Sequence, residues 1–436
     1  MLKSNIIFDR LPRMRVPWVW AALASLSFIY LVSRLILPAH DSVGLGLDFR
    51  VIWMAGKVWI SGQDPYGPEL LRQTNDIFGT TYYPHVWQYP PYWYPLAVAF
   101  GSTPFNLSIL GWNLLNLLLL LAATHLTARA LADVAGKDYF IFFCVGITYV
   151  CAMEATATTL YIGQVSFLVY FGLSAIIYGL LKKQPIMLIV GLAIVCLKPQ
   201  IGILAVAAVL ALRRYRWTVL PLAAIYFVAT SPILIAGKYP SAISGFLGNL
   251  AKFSGQPAES NSSANLTGLI NILDFLLPGR INQFTVTMTL MALSIVMTYF
   301  IFTYSSFNDN SRFISRNHRV ASLALFVSVL FLSVPLHPYD HIALVTILIM
   351  TFALELPGRW IVLIGLILCA RPKIFYLLSG VTNPASAGFR ESLVMSAGLL
   401  LILAGAMLAF VASRSPGTAN IPIAADRRAN EVEASG

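Results

Sequence analysis

Charge is scarce in this chain. Only 11% of its 436 residues are Asp, Glu, Lys or Arg, and carboxylates are the rarer kind, 18 against 29 Lys and Arg. With 58% hydrophobic residues and a mean hydropathy of +0.75, the composition lies outside the range of soluble domains. Cysteine is scarce too: Cys144, Cys151, Cys196 and Cys369 fall in apolar runs with neither paired nor metal-ligand spacing. They read as small core residues, and no disulfide framework or zinc module is expected. Six histidines include no HExxH frame, so neither a metal nor any other cofactor is called for. A small-residue cleavage site is lacking after the basic N-terminus, so the first apolar run is expected to stay as a span and not to be removed as a signal peptide. The net charge of +11 would suggest nucleic acid in a soluble protein. Here Lys and Arg cluster in short turns between apolar runs, which positive-inside orientation explains without a nucleic-acid partner.

What is abundant is apolar sequence in runs of about 18 to 25 residues, long enough for a hydrocarbon core of roughly 30 Å. In lipid such runs must be helices, because only a helix satisfies its own backbone. The expectation is an all-α polytopic membrane protein of about twelve spans with both ends cytoplasmic. Residues 1–17 form the basic N-terminus, 18–412 the membrane domain, and 413–436 a polar, disordered cytoplasmic tail. Within the domain, 38–106 is the first outer loop and 237–282, rich in Ser, Asn, Gly and Pro, a large outer loop. The run 185–212 is interrupted by Lys198-Pro199-Gln200 and is basic at both flanks. This reads as a hairpin of two short helices with Lys198 at depth toward the outer side, broken where proline removes a backbone donor.

Several polar groups share the outer side on this topology. Asp48 begins a helical pattern in which Phe49, Ile52, Trp53, Gly56, Trp59 and Ile60 share one face while Arg50, Lys57 and Ser61 share another. That describes an interfacial helix on the outer leaflet with Asp48 at its N-cap. Asp48 is then either only a cap or a base that takes a proton from an acceptor hydroxyl. An ammonium at a helix centre costs roughly 2.5 to 3.5 kcal/mol. Lys198 therefore either snorkels to an interface or contacts a phosphate, helped by free amides at the helix break. His337-Pro338-Tyr339-Asp340-His341 lies between two spans. A polar rim for a sugar or phosphate is the preferred reading over a metal site, with His341 sharing proton transfer with Asp48. Tyr89, Gln164 and Asn261 point to the same side, and that common side suggests a single outward-facing site. The aromatics of 53–94 fit either sugar stacking or an interfacial belt.

These motifs, taken in order, resemble family 87 glycosyltransferases of the GT-C superfamily. The resemblance runs from about residue 18 to 410. It rests on Asp48, Gly62-Gln-Asp-Pro-Tyr66, Tyr89-Pro-Pro91, Gly163-Gln-Val165, Leu197-Lys-Pro-Gln200, the Asn-rich loop and the late His cluster. It implies a GT-C-like bundle and an activity that moves a hexose or pentose, mannose favoured, from a polyprenyl-phosphate sugar to a lipid or glycan acceptor. Transfer would occur on the outer face of a bacterial inner membrane, with membrane lipids as surroundings. It further implies Asp48 as the catalytic carboxylate, with Tyr66 and Gln200 among the substrate contacts carried by the matching motifs. A phosphate leaving group needs positive charge, from Lys198 and from Arg50 or Lys57, and no metal. The rival class is a secondary transporter or flippase of lipid-linked saccharides, which also uses broken helices and ionisable groups at depth. No second copy of the 185–212 hairpin supports that rival.

Overall fold

The computed structural model describes residues 16–36, 45–79, 86–255, 265–280, 282–305, 307, 316–353, 358–378 and 387–413. Among these every regular element is helical, and the β interactions amount to one antiparallel bridge between Thr267 and Leu336. Helix α1 (Val16–Ile36) precedes a compact group of α2 (Leu47–Ile60), α3 (Glu69–Phe78), a 3-10 turn at Pro91–Trp93 and α4 (Tyr94–Gly101). Then come α5 (Phe105–Ala135), α6 (Tyr139–Ala152), α7 (Glu154–Ile162), α8 (Ser166–Leu181), α9 (Pro185–Val195) and α10 (Pro199–Ala211). The stretch expected to be a large outer loop is not structureless: beyond α11 (Val219–Ile235) it holds α12 (Tyr239–Gly255) and α13 (Leu269–Leu276). The chain closes with α14 (Gln283–Thr303), α15 (Arg316–Ser333), a 3-10 stretch at Pro338–Leu344, α16 (Val345–Ala353), α17 (Arg359–Ala370), α18 (Pro372–Leu378) and α19 (Ala387–Ala412).

By length and apolar composition four single helices among the described residues can cross a bilayer, Phe105–Ala135, Arg216–Ile235, Gln283–Thr303 and Glu391–Ala412. Counting α6 with α7, which meet at a 65° bend, makes five. The expected figure of about twelve is not reached on length. Many apolar runs are cut into helices of 10–17 residues, and the cuts fall at residues that cannot continue a helix. The apolar run over 158–181 is cut at Gly163, which sits at φ 75° as the left-handed cap of α7. The apolar run over 360–377 divides at Arg371-Pro372 into α17 and α18. The hairpin over 185–212 breaks where expected, with Lys198 as the residue capping α10 and Pro199 in its first turn.

Helix α2 departs from the interfacial expectation in two ways. Val51, Met54, Ala55 and Val58 are buried as fully as Phe49, Ile52 and Trp53, so α2 is packed on both sides and does not lie half-exposed. Its N-cap is Gly46, which has no side chain to cap it; Asp48 is therefore not the N-cap. The burial comes from a close approach. A Cβ placed on Gly56 would collide with the backbone of Ala97, and one on Gly101 would meet the backbone of Gly56 at 2.7 Å. Two glycines thus let α2 and α4 pack backbone to backbone, and Trp53 Nε1 donates to the Thr103 carbonyl at 2.9 Å. The basic N-terminus, residues 38–44, Asn261 and the tail from 414 onward lie outside the described residues.

Candidate active site

The site is assembled by three breaks in helices. The first is the turn between α7 and α8. Gly163 adopts a left-handed φ, and a Cβ there would lie 2.6 Å from Phe49 Cβ. Only glycine permits this approach of the turn to the first turn of α2. Trp112 Nε1 donates to the Gly163 carbonyl at 2.9 Å, and Gly46 N–H donates to the Tyr161 carbonyl at 2.8 Å. With turn and helix locked together, Gln164 Nε2 donates to Asp48 Oδ2 at 2.5 Å. Gln164 Oε1 accepts from Val165 N–H at 3.1 Å, which fixes the amide so that its NH2 faces the carboxylate.

The second break is the one at Lys198. The carbonyls that end α9 need partners once the helix stops. They find them in the aromatic 3-10 turn: Tyr92 Oη donates to Cys196 O at 2.7 Å and Trp93 Nε1 to Leu197 O at 2.8 Å. The first-loop aromatics therefore serve as hydrogen-bonding struts as well as apolar bulk. The third break is the stretch His337 to His341. Asp340 is almost fully buried and forms an ion pair with Lys198 at 2.5 Å. It also accepts from Ser166 Oγ at 2.8 Å and from His337 N–H at 3.3 Å.

These breaks line an open cavity of about 420 Å³ whose polar wall includes Asp48, Gln164, Lys198, Gln200, His337 and Asp340. Tyr89 and Tyr339 line it as well, while Phe246 and Leu250 of α12, with Leu266, form an apolar side. Enclosure by protein raises the Asp48 carboxyl to about 6, and the Asp340 charge adds to this, while the Gln164 bond and Lys198 pull the other way. Burial also works against ionisation of Asp340, but Lys198, His337 and the Ser166 bond together outweigh it and hold Asp340 below the usual carboxylate range. Burial lowers His337 to about 4, so its imidazole is neutral at physiological pH. The cavity thus presents a carboxylate poised near neutrality, a paired ammonium and a neutral imidazole.

Of the residues expected at the site, Asp48, Tyr89, Gln164, Lys198, Gln200, His337 and Asp340 line this cavity. Four others are placed elsewhere. Arg50 donates from Nη2 to the Leu45 carbonyl at 3.2 Å and lies 5.0 Å over the Phe78 ring. Lys57 packs 5.1 Å over Trp53. Tyr66 donates its hydroxyl to the Tyr89 carbonyl at 2.7 Å, supporting the cavity wall from behind. His341 is buried and meets Thr267 Oγ1 at 2.5 Å. That hydroxyl gives its proton to the Leu336 carbonyl, so it accepts from His341 Nε2–H and leaves Nδ1 as a bare lone pair with no partner among the described residues. Burial lowers His341 to about 4. Its bond to Thr267 anchors the segment before α13, away from the wall that carries Asp48. Asn261 lies outside the described residues.

The sequence reading misses Ser166, which holds Asp340, and Gln88 and Thr287, which line the cavity, and it does not single out Tyr339 within the His337 to His341 rim. Ser166 carries no signal beyond its place two residues after Gln164. Asp340 is legible only as part of a rim, not as the counter-ion of Lys198. Among the described residues no three of His, Cys, Asp and Glu converge as a metal-ligand set.

No curated protein matches the chain significantly. Residues 87–335, more than half of the sequence, match the sequence model of glycosyltransferase family 87; the matched stretch contains Gln164 and Lys198, begins after Asp48 and ends before His337. Matched by that model over more than half of its length, the chain belongs to glycosyltransferase family 87.

Proposed function

We propose that the chain transfers a hexose or pentose from a polyprenyl-phosphate sugar to a lipid or glycan acceptor at the outer face of a bacterial inner membrane, with inversion at the anomeric carbon. The observation that carries this reading is that Asp48, in the first turn of α2, and Lys198, at the break between α9 and α10, share one cavity. The acceptor oxygen attacks the anomeric carbon from the side opposite the phosphate. The bond from that carbon to the phosphate oxygen breaks, and its electron pair leaves with the polyprenyl phosphate. The acceptor proton passes to Asp48, whose pKa near 6 suits a base at neutral pH. Lys198 and the first turn of α10 at Gln200 stabilise the charge that develops on the departing phosphate. Asp340 stays ionised and aims Lys198. A phosphate monoester leaves without the metal that a nucleotide diphosphate calls for.

The sidedness rests on helix direction. The helix ends that carry Gln164 and Lys198 surround the cavity, while the opposite ends carry Lys182, Lys183, Arg213, Arg214 and Arg319. Positive-inside orientation then makes the cavity face outward. Two contacts far from the cavity fit this polarity: Lys137 Nζ donates to the Phe352 carbonyl at 3.5 Å, and His318 Nδ1 meets Ser413 Oγ at 2.9 Å. In the same reading the shorter apolar helices complete the bundle beside the four or five long ones. Twelve passes result, formed by α1, α5, the bent α6–α7 pair, α8 to α11, α14 to α17 and α19.

Purified protein in nanodiscs, given a panel of radiolabelled polyprenyl-phosphate sugars, nucleotide sugars and a membrane lipid extract, tests the donor class. Label should move to a new lipid or glycan from a polyprenyl-phosphate sugar alone. Transfer from a nucleotide sugar instead would refute the donor assignment, and donor movement across the bilayer without transfer would favour a transporter.

A further inference from the structure

A second cavity lies at the end of the bundle remote from Asp48. It has a volume of about 190 Å³ and is lined by Asp133 and Val134 of α5, Leu181 and Lys182 at the end of α8, and Arg319 at the start of α15. At roughly 30 Å³ per water in the liquid, this is room for about six waters or one phosphate group with its oxygens solvated. Lys182 is paired with Asp133, and Arg129 approaches the same carboxylate at 3.8 Å. Asp133 is thereby shared between two cations. Among the described residues no carboxylate pairs with Arg319. Its guanidinium rests 5.9 Å from the Phe307 ring, and its buried Nε has no hydrogen-bond partner among the described residues. A buried donor of a permanently charged group is costly to leave unpaired, so an anion in this cavity would satisfy an existing deficit. Arg214 adds charge nearby: Tyr215 lies within electrostatic range of both Arg214 and Arg319.

The level of this pocket in the bundle says where the anion comes from. Trp18 in the first turn of α1, Trp217 in the turn just before α11 and Trp360 in the first turn of α17 lie at helix ends that the proposed topology puts on the pocket's side, and they are exposed to 77%, 50% and 62%. Exposed tryptophans at same-side ends of apolar helices mark the headgroup region of a bilayer. Basic pockets between helices at that level suit phosphate headgroups. We propose that this pocket binds the phosphate of an anionic phospholipid from the leaflet opposite the sugar-transfer cavity, with Arg319 and Lys182 as its ligands and the acyl chains lying along the apolar surface beside α5 and α15. The group recognised is a phosphate, and its source is the lipid rather than a soluble ion.

Delipidated full-length protein in neutral detergent, titrated with phosphatidylglycerol, phosphatidylcholine or inorganic phosphate, tests this by thermal unfolding and by native mass spectrometry. Phosphatidylglycerol should raise the unfolding midpoint and stay bound as a single copy, and phosphatidylcholine should do neither. Arg319→Gln should weaken phosphatidylglycerol binding about tenfold or more, the scale of one charge-assisted contact. Equal effects of the two lipids on the wild type would overturn the proposal, a comparison that needs no variant to fold. Unchanged phosphatidylglycerol binding by folded Arg319→Gln would overturn it as well. Arg319-dependent protection by inorganic phosphate at the same concentration as the lipid would overturn the lipid assignment and leave a soluble-anion site.

Discussion

Asp48 is a carboxylate in the first turn of a buried helix, lining a cavity and bonded to the neutral amide of Gln164. Its raised pKa has two consequences of opposite value to the protein. As the base it must be ionised, so kcat/KM should fall as pH drops through about 6, where an ordinary carboxylate would hold the rate down to about pH 4. For folding the sign is reversed. A carboxylate whose folded pKa lies above the unfolded 3.8 contributes stability that is complete below 3.8 and lost as pH rises through about 6. Asp48→Asn should therefore be more stable than the wild type at pH 7 to 8, by up to about 3 kcal/mol, while losing nearly all its activity. An acid limb near pH 4, or a variant no more stable than wild type at pH 8, would contradict this account. The Lys198–Asp340 pair, both members nearly buried, makes a second residue-scale case. Lys198→Met should cost about 3 to 5 kcal/mol because it strands the Asp340 charge, and Lys198→Met with Asp340→Leu should recover most of that loss without recovering transfer. Urea titrations of the single and double variants measure it; an additive double variant would show that the two groups are not coupled.

At the scale of elements, the site exists because helices stop. The stop at Lys198-Pro199 is legible in the sequence, since a proline and a cation inside an apolar run leave few alternatives. The stop at Gly163 is not, because Gly163-Gln164 looks like the start of a span until the left-handed φ and the contact with Phe49 are seen. Nor is the burial of α2 legible: alternation of apolar and charged faces describes an interfacial helix equally well, and only the Gly56–Gly101 approach removes the solvent face. For the late cluster, two histidines four residues apart are equivalent in sequence. Packing alone sends His337 to the cavity and His341 to Thr267. The Gly163 turn can be tested against Gly62, which has the same φ of 75° but where an added Cβ would meet nothing within 4 Å. Gly62→Ala should cost about 1 kcal/mol from backbone strain alone. Gly163→Ala should cost several times that and lower kcat about a hundredfold by shifting the Asp48–Gln164 contact. Equal effects at the two glycines, in unfolding midpoint and in rate, would mean that the turn does not position the site.

At the scale of the molecule, hydropathy conveys the class and the helical content but not the count of spans that stand on length alone, because the chain divides long apolar runs at breaks, several of which line the cavity. The division leaves short helices whose ends carry the polar groups of the cavity at one face and a cationic pocket at the other. The family match and the cavity make this a glycosyltransferase, and the central claim is that its base is Asp48. The most direct test is a single-turnover assay with a radiolabelled polyprenyl-phosphate sugar at pH 7.5, comparing wild type with Asp48→Asn and measuring donor binding in the same samples. Transfer should be slowed by roughly 10² to 10⁴ with donor binding retained, because Lys198 and Gln200 are untouched. Near-normal transfer by a folded Asp48→Asn would contradict it.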